Sequence, residues 1–227
     1  RAAGAWDGGG VASPGAAAAA DGTVLVGYAA ERAADGGKNR GIGLARAPHP
    51  LGPFVKDATP VASPGGVCGG SGRCDDVILQ ARPDGVHLYH SVKGSNVAPG
   101  DGIRHRVTAD GGATWSESTM VLSRSLQPGT SPTESIAGKF FPTALGGAGA
   151  MVLVTDGGPG NALHAYLSRT AGSMVDFVAA AEPGIATHPI GSATCHEGSW
   201  ANKQIAFFPD AAGDVVSVGW TLWTGNT

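Results

Sequence analysis

An all-β fold of repeated four-stranded units is what the 227-residue sequence predicts, on three observations. Strand-like apolar runs follow turn signals at four places, and counted by residue number the turns recur about every 63 to 65 residues. Each repeat then shows the same internal order of runs. No stretch keeps a helical hydrophobic period over three or more turns. Strand, hairpin, strand, strand is the make-up of a propeller blade, and a long fixed period is the signature of a repeat architecture.

The elements follow in order. Asp21-Gly22 precedes Thr-Val-Leu-Val-Gly-Tyr, and Asp84-Gly85 precedes Val-His-Leu-Tyr-His-Ser. A Gly-rich turn around Gly147 to Gly149 precedes Ala-Met-Val-Leu-Val-Thr, and Gly213-Asp214 precedes Val-Val-Ser-Val-Gly-Trp. Ahead of the turn comes a first run: 77–80 in the second repeat, 141–145 in the third and 205–208 in the fourth. After the hairpin comes a third run, at 41–46, 104–108 and 163–168, and a short fourth run closes the first three repeats.

The repeats fall roughly at 8–60, 74–123, 138–180 and 200–227, within a single β-propeller domain over 1–227. The expectation is a five-bladed propeller with about three and a half blades present. A full ring at this period needs about 315 residues, so the chain is expected to be part of a longer protein or processed. Second in rank is a closed four-bladed ring. A β-sandwich also carries regular turn signals, but its strands do not recur as four-strand units at this period.

Composition supports many short strands joined by turns. Hydrophobic residues make up 42% and charged residues 15%, which leaves ample material for a core. The 38 glycines and 15 prolines fall mostly between apolar runs, where turns need a positive or a fixed φ. A net charge of −3 without a basic stretch argues against a nucleic-acid partner. The longest apolar stretches are well short of the roughly 20 residues of a membrane span, and the Ala16–Ala20 run is brief and weakly apolar. Cys68 and Cys74 bracket Gly-Gly-Ser-Gly-Arg, flexible enough to let them meet. A disulfide there would suit an oxidising, secreted or extracellular location; Cys195 is then free or paired elsewhere.

The run 108–115, Thr-Ala-Asp-Gly-Gly-Ala-Thr-Trp, resembles the Asp-box of sialidases and related propellers. Its physics is structural: the Asp caps a turn between the outer two strands, glycine supplies positive φ, and the Trp packs beneath. A second resemblance spans residues 11 to about 120. Gly41-Ile-Gly-Leu-Ala-Arg-Ala47 with Leu51-Gly-Pro-Phe54, then Asp75-Asp76-Val-Ile-Leu, Asp84-Gly85-Val-His-Leu-Tyr and Lys93-Gly94, resemble strings of family 43 glycoside hydrolases. Similar strings occur in families 32, 68, 117 and 130.

The resemblance implies a site at the ring's central funnel, built from the first strand of each blade, with carboxylates flanking a scissile glycosidic bond. It implies that Asp75 and Asp76 orient substrate or tune the acid; one of them capping the preceding loop is the bland alternative. Glu134 and Glu197, near inner-strand entrances, are the candidates for the acid. Where the family places its base, the first repeat has Val11-Ala12-Ser13-Pro14-Gly15. The nearest carboxylate is Asp7, beside Trp6, and both are assigned to substrate binding with His196 and Lys93. His87, His90 and His105 are read mainly as core or surface histidines.

The expected function is a glycoside hydrolase acting on an oligo- or polysaccharide. The alternative is a non-catalytic sugar-binding or assembly propeller that has lost its carboxylates. No cofactor is expected, although an axial Ca²⁺ is open by resemblance; there is no dedicated loop of oxygen ligands. No Gly-x-Ser-x-Gly elbow or P-loop is present.

Overall fold

A computed structural model describes residues 6–31, 40–63, 68, 73–93, 102–123, 136–142, 145–157, 162–179, 204–209 and 215–221. Among these, every regular element is a strand. The chain divides into two compact units, Arg1–Arg124 and Ser125–Thr227, and two of the sequence repeats fall in each.

The first unit holds two four-stranded antiparallel sheets, each a simple meander. The first runs β1 (Gly10–Ala18), β2 (Val24–Glu31), β3 (Arg40–Ala47) and β4 (Val55–Lys56). The second runs β5 (Arg73–Arg82), β6 (Gly85–Lys93), β7 (Gly102–Thr108) and β8 (Thr119–Ser123). A shared core of Leu25, Ala29, Ile42 and Leu44 from the first blade meets Val77, Leu79, Val86 and Leu88 from the second.

β1 is rich in alanine and glycine, residues that seldom favour strands. Close packing explains Gly15 on β1 and Gly27 on β2. A Cβ on Gly15 would lie 2.3 Å from the Val77 carbonyl oxygen, and one on Gly27 would lie 2.6 Å from Val77 Cγ1. At Gly15 the first strands of the two blades approach so closely that a larger side chain has no room.

Both inner strands carry a one-residue bulge near their entrance. It lies between Ala12 and Gly15 in β1 and between Asp75 and Val77 in β5. Each puts a non-glycine residue at positive φ, Ser13 at 49° and Asp76 at 44°. Bulges of this kind re-aim a side chain out of the sheet's alternation.

The blades are tied at the far end by the β7–β8 turn. Asp110 accepts hydrogen bonds from the Thr114 amide (2.9 Å), the Thr114 hydroxyl (2.6 Å) and the Thr108 hydroxyl (2.7 Å). Gly111 and Gly112 have φ of 66° and 90°, and Trp115 Nε1 donates to the Gly112 carbonyl at 3.2 Å. Trp115 packs on the shared core, and a Cβ on Gly112 would touch Leu25 and Leu44 of the neighbouring blade.

The second unit contains the sheet β9 (Ile136–Phe141), β10 (Ala150–Gly157), β11 (Ala162–Ser168) and β12 (Phe177–Ala179), and the hairpin β13 (Gln204–Pro209) and β14 (Val215–Thr221). The first strand of this third repeat was expected at 141–145 but ends at Phe141. Pro142 follows, with no N–H for the ladder, and the turn before β10 begins with Leu145 at φ 51°. Phe140, Met151, Leu153, Tyr166 and Phe177 are buried here.

Candidate functional site

The entrance end of the first unit gathers the site. Pairing places Gly10 opposite Glu31, Glu31 opposite Arg40, and Arg73 opposite Lys93. The starts of β1, β3 and β5 and the ends of β2 and β6 therefore share one end of their sheets. Both bulges lie there.

Asp75 is the hub. Its side chain is 5% exposed, and its Oδ2 accepts from Arg40 Nη1 at 2.7 Å, with Arg73 Nε at 3.8 Å. Its Oδ1 accepts from the Ser13 hydroxyl at 3.3 Å and from the Asp76 amide at 3.2 Å. Arg40 also reaches Glu31 Oε2 through its Nε at 3.2 Å. Burial pulls the Arg40 guanidinium down, but the charges and hydrogen bonds of Asp75 and Glu31 outweigh it and hold its pKa above the ordinary arginine value. Asp76, half-buried, accepts from the Ser91 hydroxyl at 3.1 Å through Oδ2.

Chemically, the two neighbouring carboxylates are unlike. Asp75 is surrounded by cationic and neutral hydrogen-bond donors. Asp76 is itself the left-handed bulge residue, a conformation that costs about 1–3 kcal/mol and clusters at functional positions.

Trp6 and Asp7 are seated elsewhere on the first blade. The Asp7 carboxylate accepts from Lys56 Nζ on β4 and from the Tyr28 hydroxyl on β2, the latter at 3.3 Å. The Lys56 hydrogen bond is the main cause that draws the Asp7 pKa down, against burial. Burial and the Asp7 charge push the Tyr28 phenol up to about 12. Trp6 stacks on Tyr28 with ring centroids 6.1 Å apart, above Gly43, where a Cβ would clash with both rings. The backbone of Lys93 lies at the entrance end opposite Arg73. Glu134, His196 and Glu197 lie outside the described residues.

The histidines form a separate group toward the hairpin end of the second blade. His87 Nδ1 and His105 Nε2 are 2.8 Å apart, and His87 Nε2 lies 3.2 Å from Asp84 Oδ1. Burial lowers both His105 and His90 to about 4, so both rings are neutral near pH 7. Asp84, His87 and His105 are held in the fold at the end opposite the bulges.

Glu31, Arg40, Arg73 and Ser91 complete the cluster and were not singled out from sequence. Charged residues flanking a strand run are ordinarily solvated, so only their recurrence at strand entrances marks them. Cys68 and Cys74 form a disulfide directly before Asp75. Among the described residues no three His, Cys, Asp or Glu side chains gather as metal ligands. No described helix is long and apolar enough to cross a membrane.

The repeated four-stranded antiparallel meanders give the chain a β-propeller fold, and the solved structures it resembles are propeller glycoside hydrolases. It resembles the endo-arabinase of Bacteroides thetaiotaomicron, with TM-score 0.62 and 14% identity over 100% of this chain and 79% of that one. It also resembles a family 117 glycoside hydrolase of the marine bacterium Zobellia galactanivorans, with TM-score 0.53 and 17% identity over 76% of this chain and 46% of that one. The α-L-arabinofuranosidase of Fusarium graminearum gives TM-score 0.56 and 13% identity over 88% and 53%. The chain thus spans about half the length of the latter two. No protein-family model matches it, and no curated protein does.

Proposed function

We propose that the chain is a carbohydrate-active propeller, a glycoside hydrolase whose sugar site is the entrance end around Ser13, Asp75 and Asp76. The observation that carries this reading is the paired bulge, which brings the Ser13 hydroxyl and the Asp76 backbone amide from adjacent inner strands onto the Asp75 carboxylate. Its fold likeness to hydrolases of arabinose-containing and other glycans supports an oligo- or polysaccharide ligand. Asp76 is the carboxylate presented to the sugar, and the acid comes from Glu134 or Glu197. The disulfide supports a secreted location, and the Thr108–Trp115 turn is an Asp-box that holds the blades rather than a reactive centre.

A second reading is favoured by Ser13 itself. A hydroxyl stands where a proton-accepting carboxylate would serve hydrolysis, and Asp75 is occupied by Arg40. On that reading the same surface binds sugar without cleaving it.

Incubation with arabino-, xylo-, fructo- and galacto-oligosaccharides, followed by product analysis and calorimetric binding, separates the two. Turnover lost in Asp76→Asn supports hydrolysis. Binding without turnover supports the sugar-binding module. Neither binding nor turnover across the panel overturns both.

A further inference from the structure

We propose that Arg40 is a positioning residue of the sugar site, acting from one blade through Asp75 of the next to hold the Asp76 bulge in register with the Ser13 bulge. This rests on the entrance end being the sugar site. Arg40 opens β3 of the first blade, yet its shortest ion pair, 2.7 Å, is to Asp75 on β5 of the second. Its Nε is anchored to Glu31 on β2 at 3.2 Å, so the guanidinium spans two carboxylates 44 positions apart in sequence, residues 31 and 75. Planar donors in a rigid fork suit such a bridge, whereas an ammonium acts as a point charge.

The bridge ends at the bulge. Asp75 Oδ1 holds the Asp76 amide at 3.2 Å and the Ser13 hydroxyl at 3.3 Å, while Oδ2 takes Arg40. One carboxylate therefore connects the left-handed residue of each inner strand to a cation of the first blade. Arg73, 3.8 Å from the same Oδ2, is the weaker partner. A control lies on the same strand: Arg46, about as exposed as Arg40, pairs at 2.6 Å with Asp57, which is less buried than Asp75.

The test is amide hydrogen exchange on the full chain, comparing Arg40→Gln, Arg40→Lys, Glu31→Gln, Arg73→Gln and Arg46→Gln. Loss of a charge-assisted hydrogen bond increases local opening by about tenfold or more. Arg40→Gln is expected to speed exchange of the Asp76 and Val77 amides by that factor. Glu31→Gln and Arg73→Gln act in the same direction but less. Arg40→Lys rescues in part, and Arg46→Gln leaves these amides unchanged at matched melting temperature. Unchanged exchange in Arg40→Gln, or an equal change in Arg46→Gln, overturns the proposal. Should Arg40→Gln fail to fold, Arg40→Lys and Glu31→Gln carry the comparison. Affinity for arabino-oligosaccharide is measured alongside. An exchange effect with no sugar binding in the parent chain refutes the sugar site and keeps the bridge, while sugar binding with no exchange effect refutes the bridge alone.

Discussion

Ser13 and Asp76 occupy the same place in successive blades. Each stands nine residues before the glycine of its own hairpin turn, 13 before Gly22 and 76 before Gly85, and each is a left-handed bulge residue. They differ in chemistry, a hydroxyl in one blade and a carboxylate in the next. Ser13 spends its hydroxyl on Asp75 at 3.3 Å.

Restoring a carboxylate at residue 13 puts a second anion beside Asp75. Two carboxylates at such a distance cannot both ionise freely, so the pKa of one rises. A folded-state pKa above the unfolded value makes the cost greatest at neutral pH and relieves it as pH falls. Ser13→Asp is expected to lose roughly 1–3 kcal/mol at pH 7 and to approach the parent only as pH falls to about 4, the unfolded carboxylate value. Ser13→Ala loses one hydrogen bond, about 1 kcal/mol, at either pH. Urea unfolding at the two pH values measures both, and an identical pH dependence for the two variants refutes the coupling.

Gly15 and Gly22 are glycines for different reasons, and substitution separates them. A Cβ at Gly15 would sit 2.3 Å from the Val77 carbonyl oxygen, whereas Gly22 has open space but φ of +85°. Gly15→Ala forces β1 off β5 and is expected to cost roughly 3 kcal/mol or more. Gly22→Ala costs about 1–2 kcal/mol from the left-handed backbone. Asparagine tolerates that conformation, so Gly22→Asn recovers stability while Gly15→Asn does not. Equal costs at the two sites in urea unfolding would contradict the packing account.

The blade pattern was legible because its signals are local. Asp21-Gly22 and Asp84-Gly85 mark hairpins, and β2, β3, β6 and β7 carry dense apolar runs. β1 was not legible, since alanines from 16 to 18 announce no strand; only Gly15, pressed against β5, marks the packing. Asp75 and Asp76 stood out by residue type and by resemblance. The partners of Asp75 did not, because Ser13 and Arg40 reach it only after the two blades pack. Pro142 shows the opposite error, where an apolar run from 141 hid the one residue that ends the ladder.

Burial of His90 and His105 predicts a definite acid response. Burial is the main cause that lowers each from 6.5 to about 4; Arg104 and Arg106 add to it at His90, and His87 adds to it at His105. The unfolded chain then binds more protons between those values, so stability is full above about pH 6.5 and falls as pH drops toward 4. Each ring contributes at most roughly 3 kcal/mol over that window. Thermal melting from pH 7.5 to 4 should show the decline, and His105→Gln should make it shallower. A melting temperature that is flat from pH 6.5 to 4 refutes neutral burial.

The Cys68–Cys74 disulfide closes a short loop directly before the hub carboxylate, with a sequence separation of 6 and both cysteines buried. Chain entropy for so short a loop accounts for about 2 kcal/mol. Its position adds a second effect. Cys74 is the residue next to Asp75, and Arg73 on its other side pairs with that same carboxylate. Replacing both cysteines by serine is therefore expected to lower stability by about 2 kcal/mol and to speed exchange of the Asp76 amide beyond that global loss. A uniform increase across both blades would mean that the bond stabilises the fold without fixing the bulge. Local acceleration at residues 75–77, with β2 and β3 unchanged, would place the disulfide beside Arg40 as the second restraint on the carboxylate end of β5.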